Sequence, residues 1–265
     1  VGPLAFVVAV ILVQSSSSVM ANWYKGRATE KVRLGDFDGA LANLDTAIEW
    51  SEDDPALYRE RGRVRSLNKD WEGAESDFDH LVELSPEFVP GRIERGQLYL
   101  QRGRYDEAIQ EFGVAIRESP PDDHYPLNDR AYARALAGKE LEAGLFDIEM
   151  AIELYRAQNR TDNSAYLDTR GYLHFLLKNP EAALKDLDRA VKMMEAEHVK
   201  TLNDAREAKV GKEVIQRLEK AMQEQRSVVL HHRGEAHQAL GDTEQADADL
   251  KQADALGYDP EGGVF

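Results

Sequence analysis

Six arginines carry the most regular chemistry in this sequence: Arg27, Arg61, Arg95, Arg130, Arg170 and Arg233. Each has a polar partner about sixteen positions on: Arg27–Asn43, Arg61–Asp77, Arg95–Glu111, Arg170–Asp186, Arg233–Asp249 and, at seventeen, Arg130–Asp147. A guanidinium forks onto a carboxylate through two parallel N–H donors, so these pairs are expected to be structural ion pairs. An enzyme needs its catalytic group once, and a pair that recurs along the chain speaks for scaffolding. A second group, His231, His232, Glu235 and His237, has a metal-like look. His231 and Glu235 stand one helical turn apart, as two ligands would, yet the group departs from HExxH and His237 is expected to face the core. No phosphate loop, GxSxG elbow or catalytic carboxylate pair stands out, so neither a cofactor nor an enzymatic activity is expected.

The chain has 265 residues and no cysteine, which removes disulfides, thiolate metal sites and cysteine nucleophiles. Its formal charge of −16 repels phosphate backbones and argues against nucleic-acid binding. The charge is uneven. A basic collar of Lys25, Arg27, Lys31 and Arg33 against Glu30 gives residues 14–34 a net +3, leaving −19 on residues 35–265. Hydrophobic residues at 42% suffice for a core, and the richness in Ala, Leu, Glu and Arg favours helices.

The arginines sit in copies of one pattern. Arg27, Arg61 and Arg95 are 34 apart, and so are Ala28, Gly62 and Gly96; Phe37, Trp71 and Tyr105; and Ala40, Ala74 and Ala108. Looser copies begin at Leu127, Leu167 and Leu230. Asp54-Pro55 and Asn179-Pro180 read as N-caps followed by a first-turn proline. Each copy therefore predicts two helices joined by a short turn, with small residues where the helices approach closely. The arginine and its acid lie equally far from that turn, so they face each other across the hairpin. One hairpin cannot bury both faces, and the copies must stack.

A 34-residue period with these small residues and a Gly/Asn-Asp-aromatic turn resembles the tetratricopeptide repeat family, in a bacterial variety that carries Arg-Gly in the first helix. The resemblance covers about residues 22–256 and implies an all-α, right-handed solenoid of about six hairpins, with a 257–265 tail. It also implies that the first helix of each hairpin lines a concave groove for a protein or peptide partner. That face would present Lys25, Thr29 and Arg33, then Arg59 and Arg63, then Tyr125, Tyr132, Tyr172 and Phe175. Chaperone-tail-binding members use a Lys-Asn-Asn-Lys-Arg clamp; this chain lacks its asparagines, so that activity is not implied.

Residues 194–226 interrupt the period, with 63 residues between the last two arginines instead of 34. They contain no proline, and Val191, Met194, His198, Leu202 and Ala205 form one apolar line facing Ile215, Leu218, Met222 and Val229. The pattern predicts a helical hairpin that lengthens its neighbours, either packed on the repeats or projecting as a partner-binding arm.

Residues 1–21 open with the uncharged run VGPLAFVVAVILV and lead to Trp23, Tyr24 and Lys25, the order found at a membrane interface. As a helix, this stretch is about 31 Å long, near the thickness of a hydrocarbon core. The expectation is a membrane-anchored protein with a single N-terminal helix, the side of the repeats left open. A signal-peptide remnant, with Val19-Met20-Ala21 as cleavage site, and a cap on the first hairpin by Leu4–Val13 are the alternatives. The function expected is a non-enzymatic interaction scaffold or accessory subunit of a membrane-associated complex; the alternative is a soluble envelope adaptor with a cleaved signal.

Overall fold

The computed structural model describes the backbone of residues 3–258 and side chains from residue 17 onward. Among the described residues the chain is entirely helical, with no strand. The helices are α1 (Pro3–Leu34), α2 (Phe37–Trp50), α3 (Pro55–Leu67), α4 (Trp71–Leu84), α5 (Val89–Gln101), α6 (Tyr105–Glu118), α7 (Tyr125–Ala137), α8 (Leu141–Asn159), α9 (Ser164–Leu176), α10 (Pro180–Glu207), α11 (Lys212–Leu240) and α12 (Thr243–Ala255). They fall into two compact units, Val1–Leu98 and Tyr99–Phe265.

In the first unit α1 pairs with α2 and α3 with α4, and α2 packs on α3. In the second the pairs are α7–α8, α9–α10 and α11–α12. The turns follow from two residues. The chain leaves each first helix through a left-handed residue: Gly35, Lys69, Gly138, Lys178 and Gly241 have φ between 61° and 82°. An acid or amide then caps the second helix in three of these hairpins. Asp36 accepts from Gly39 N at 2.9 Å, Asp70 from Gly73 N at 3.1 Å and Asn179 from Ala182 N at 3.3 Å. Asp54 and Asn163 cap α3 and α9 in the same way.

The small residues set how closely the two helices of a hairpin approach. A Cβ on Gly62 would stand 2.7 Å from the Phe78 ring, and one on Gly171 would stand 2.7 Å from Leu187 Cγ. Ala40, Ala74, Ala108, Ala183 and Ala246 are buried on the opposing helices. Ala28, Ala40, Leu44 and Val64 form one core cluster of the first unit, and Ala74, Phe78, Leu81 and Leu98 another. The second unit is built around Ala131, Ile148, Ala151 and Leu173, and around Leu167, Leu187, Val191, Met194 and Val229.

The membrane anchor expected at residues 1–21 is corrected. No helix among the described residues is long and apolar enough to cross a membrane. The physical reason lies in the sequence: thirteen apolar residues are interrupted by Gln14 and four serines, short of the ~20 that a span requires. Nor does a helix end at 21. α1 runs without a break to Leu34, and Ala21 is buried with Ala47 and Leu57. The expected contacts of Leu4–Val13 lie outside the described side chains.

α10 and α11 are 28 and 29 residues long, twice the length of most of the other helices. The inserted residues lie on these two helices and the turn 208–211 between them. Arg226–Glu195 at 2.6 Å and Arg206–Glu219 at 3.4 Å cross-link the two limbs. Met194 is buried, whereas Leu202, Ile215, Leu218 and Met222 are half-buried and Val199 is exposed.

Candidate partner-binding faces

The arginines form a ladder that holds the hairpins in register. Arg61 reaches Asp77 at 2.7 Å, Arg130 reaches Asp147 at 2.7 Å, Arg170 reaches Asp186 at 2.6 Å and Arg233 reaches Asp249 at 2.6 Å, each across its own hairpin. All four carboxylates are buried. Two of them take a second guanidinium from one turn further along the first helix: Arg65 on Asp77 at 2.7 Å, and Arg134 on Asp147. Hydrogen bonding to Asp186 holds Arg170 above its ordinary pKa against the opposing effect of burial, and Asp249 does the same for Arg233.

The first copy differs. Arg27 lies over the Trp23 ring at 4.8 Å, and Asn43 turns back to donate to Gly39 O at 2.5 Å. Arg95 belongs to the first unit and Glu111 to the second. Within its own unit Arg95 pairs with Asp79 at 2.8 Å.

Asp79 belongs to a second set of acids that the spacing inside each copy does not reveal. Arg61 also reaches back to Asp45 of the previous hairpin at 2.7 Å, and Arg233 to Asp188 at 3.2 Å. Glu149 acts on Arg170 from the same register. Each of these acids stands two positions after its own copy's partner residue. Asp45 and Asp79 are also sixteen before the next arginine, a signal present in the sequence. The third copy has Gly113 there instead, and a Cβ on it would lie 3.7 Å from Arg130 Nη1.

The first helices of the hairpins, α1, α3, α7 and α9, hold all nine residues expected in the groove. In the first unit Lys25, Ala28, Thr29, Val32, Leu44, Glu60, Arg63, Val64 and Leu67 line a cavity of about 180 Å³ between α1 and α3. Its floor is apolar and its rim carries both signs of charge. Arg59 is not free to meet a ligand there: Glu94 takes its Nε and Nη2 at 2.9 and 2.7 Å, and Arg63 stands 3.6 Å from the same carboxylate. Trp23 is exposed beneath Arg27, while Tyr24 packs against Ala21, Ala47 and Leu57.

In the second unit the expected aromatic residues divide into two groups. Tyr125 stands exposed at the start of α7, its ring 4.3 Å from that of buried His124, which shares a 2.7 Å hydrogen bond with the Tyr166 hydroxyl. Tyr132, Tyr172 and Phe175 belong to a different cluster on α7, α9 and α11. The Tyr172 ring stacks on His232 at 3.9 Å and runs nearly parallel to Phe175 at 6.4 Å. His232 Nδ1–H donates to Asp168 at 2.9 Å, and His231 stacks on Tyr258 at 3.9 Å. Burial, and next Glu235, push the Tyr172 hydroxyl up to about 12, so it remains a hydrogen-bond donor at neutral pH. Burial raises the Tyr132 hydroxyl and the Glu235 carboxyl as well. His231 and Glu235 are 3.7 Å apart. The cluster offers flat rings and neutral donors, chemistry suited to holding a peptide.

A tetratricopeptide repeat model matches residues 25–87 and 70–123, and a second one matches residues 227–256. The chain is a tetratricopeptide repeat protein. Curated relatives include DnaJ homolog subfamily C member 3 of Gallus gallus, 26% identical over 174 residues, 60% of this chain and 33% of that one. The Hsp70-Hsp90 organizing protein of Triticum aestivum is 27% identical over 168 residues, 63% of this chain and 27% of that one. This tetratricopeptide repeat chain thus spans a third or less of the length of those relatives. Among solved structures it is similar to PilW, described as a widely conserved type IV pilus biogenesis factor. The TM-score is 0.64 at 15% identity, over 91% of this chain and 96% of that one, a likeness of fold.

Proposed function

We propose that this chain is a non-enzymatic assembly scaffold that holds a peptide segment of a protein partner against the first helices of its second unit. Tetratricopeptide repeat domains are protein-interaction modules. The observation that carries the reading is the cluster of Tyr132, Tyr172, Phe175, His231, His232 and Tyr258, whose rings present a partly accessible aromatic face beside neutral donors. Such a face binds extended peptides through stacking and a few directed hydrogen bonds. The scaffold role agrees with the organizing function in the name of the wheat relative.

The test compares two variants by affinity capture and thermal melting. Tyr172→Ala alters the proposed face; Phe146→Ala removes an exposed ring from α8, a second helix. The expected outcome is loss of captured partners with Tyr172→Ala alone, both variants still melting as folded proteins. An unchanged partner set with Tyr172→Ala would overturn the reading.

A further inference from the structure

Around the loop between α8 and α9 stands a group of arginines unlike those of the ladder. Asp162 in that loop is buried, with a side chain 4% exposed. Its two oxygens are taken from different helices, Oδ1 by Arg156 Nε of α8 and Oδ2 by Arg189 Nη2 of α10. Arg160, the C-cap of α8, stands beside them, and its side chain makes no hydrogen bond or ion pair among the described residues. With Thr161 these residues line an open depression of about 540 Å³.

Three observations separate this group from a structural ion pair. Arg156 and Arg189 are 44% and 58% exposed, whereas ladder arginines such as Arg61 and Arg170 are 16% and 20% exposed. A guanidinium has five N–H donors. Asp162 takes one from each of its two arginines, and Arg160 keeps all of its side-chain donors. Three guanidinium groups and one carboxylate also leave a local charge of about +2 on a chain whose net charge is −16.

We propose that this depression binds an acidic peptide, receiving two neighbouring carboxylates of a protein partner. Two carboxylates match the uncompensated charge, and the depression is larger than a single oxyanion fills. Asp162 orients Arg156 and Arg189 in advance, in the carboxylate-binding role the arginines play throughout the chain, and Arg160 supplies the third fork. The site uses α8, α10 and the loop between α8 and α9, so it does not depend on the aromatic face of α7, α9 and α11.

The test is fluorescence anisotropy of labelled tetraglutamate titrated with the full chain at low salt and pH 7. Saturable binding is expected, absent for tetraglutamine and weakening as salt is added. Arg160→Gln, which removes no side-chain hydrogen bond or ion pair among the described residues, should weaken binding by about ten-fold or more; Arg59→Gln, in the first unit, should leave it unchanged. No saturable binding, or equal binding by Arg160→Gln and the unaltered chain, would overturn the proposal. So would inorganic phosphate displacing the peptide at equal concentration, since the site would then read one oxyanion and not a peptide.

Discussion

Asp186 is buried and accepts both of its hydrogen bonds from Arg170. Removing the arginine alone strands a charge in the interior. Arg170→Leu is expected to cost about 3 kcal/mol, and adding Asp186→Leu should recover most of that loss, because the desolvated pair contributes little net stability. Denaturant melts of the two single variants and the double variant measure this; additive losses would refute it. The vacancy at Gly113 predicts a gain. Gly113→Asp places a carboxylate beside Arg130 Nη1 without a clash. It should stabilise by about 1 kcal/mol more than the uncharged Gly113→Asn. Equal melting of the two would mean that no bridge forms. These residues also show what was legible in the sequence. Pairs across one hairpin follow from their equal distance to the turn. Asp45 and Asp79 precede the next arginine by the same sixteen positions, so a reading confined to one copy assigns each arginine only half of its partners. The engagement of Arg59 by Glu94 was hidden for a different reason: it joins first helices of neighbouring hairpins, which no turn relates.

At the scale of the element, the turns are the most improvable feature. Lys69 and Lys178 occupy the left-handed position that Gly35 and Gly241 fill elsewhere, at φ of 61° and 64°. A side chain there costs about 1 kcal/mol, so Lys69→Gly and Lys178→Gly should each raise stability by about 0.5–1 kcal/mol after the entropy of glycine is counted. Thermal melts check this, and a lowered Tm in either variant would contradict it. The long limbs of α10 and α11 make a second prediction. Their outer turns have half-buried seams, while the buried residues Met194 and Val228 sit nearer the repeats. Deleting residues 197–223 and closing with a glycine-rich turn should leave a cooperative, helical melt. Collapse of cooperativity would mean that the limbs belong to the core. The repeat helices were legible because their apolar and small positions recur copy after copy. The N-terminal stretch had no copy to compare with, and its apolar composition resembled a span although the helix continues into the first hairpin.

For the molecule as a whole, three histidines couple stability to pH near neutrality. Burial lowers His174, His198 and His231 below the ordinary 6.5, against the pull of nearby carboxylates. Each is then protonated more readily in the unfolded chain than in the folded one. Their stabilising effect is complete above pH 6.5 and is lost as pH falls through and below it. Glu235, raised by burial from 4.5, has the opposite sign, since it is protonated more readily in the folded chain. Tm should therefore drop between about pH 7.5 and 5.5, and replacing the three histidines with glutamine should flatten that drop. An identical slope in the triple variant would assign the effect elsewhere.

The backward reach of the arginines also bears on how such a chain can lengthen. Each joint is divided between neighbours: Asp45 or Asp79 lies in one copy, and the guanidinium that grips it lies in the next. A tandem duplication of one hairpin carries both halves, a plug at its front and a socket at its back. The new copy then docks on its parent, and the following copy docks on it, without a single further substitution. Excision of a whole hairpin heals by the same rule. Only a copy that has lost its socket, as at Gly113, would pass the defect on to every descendant.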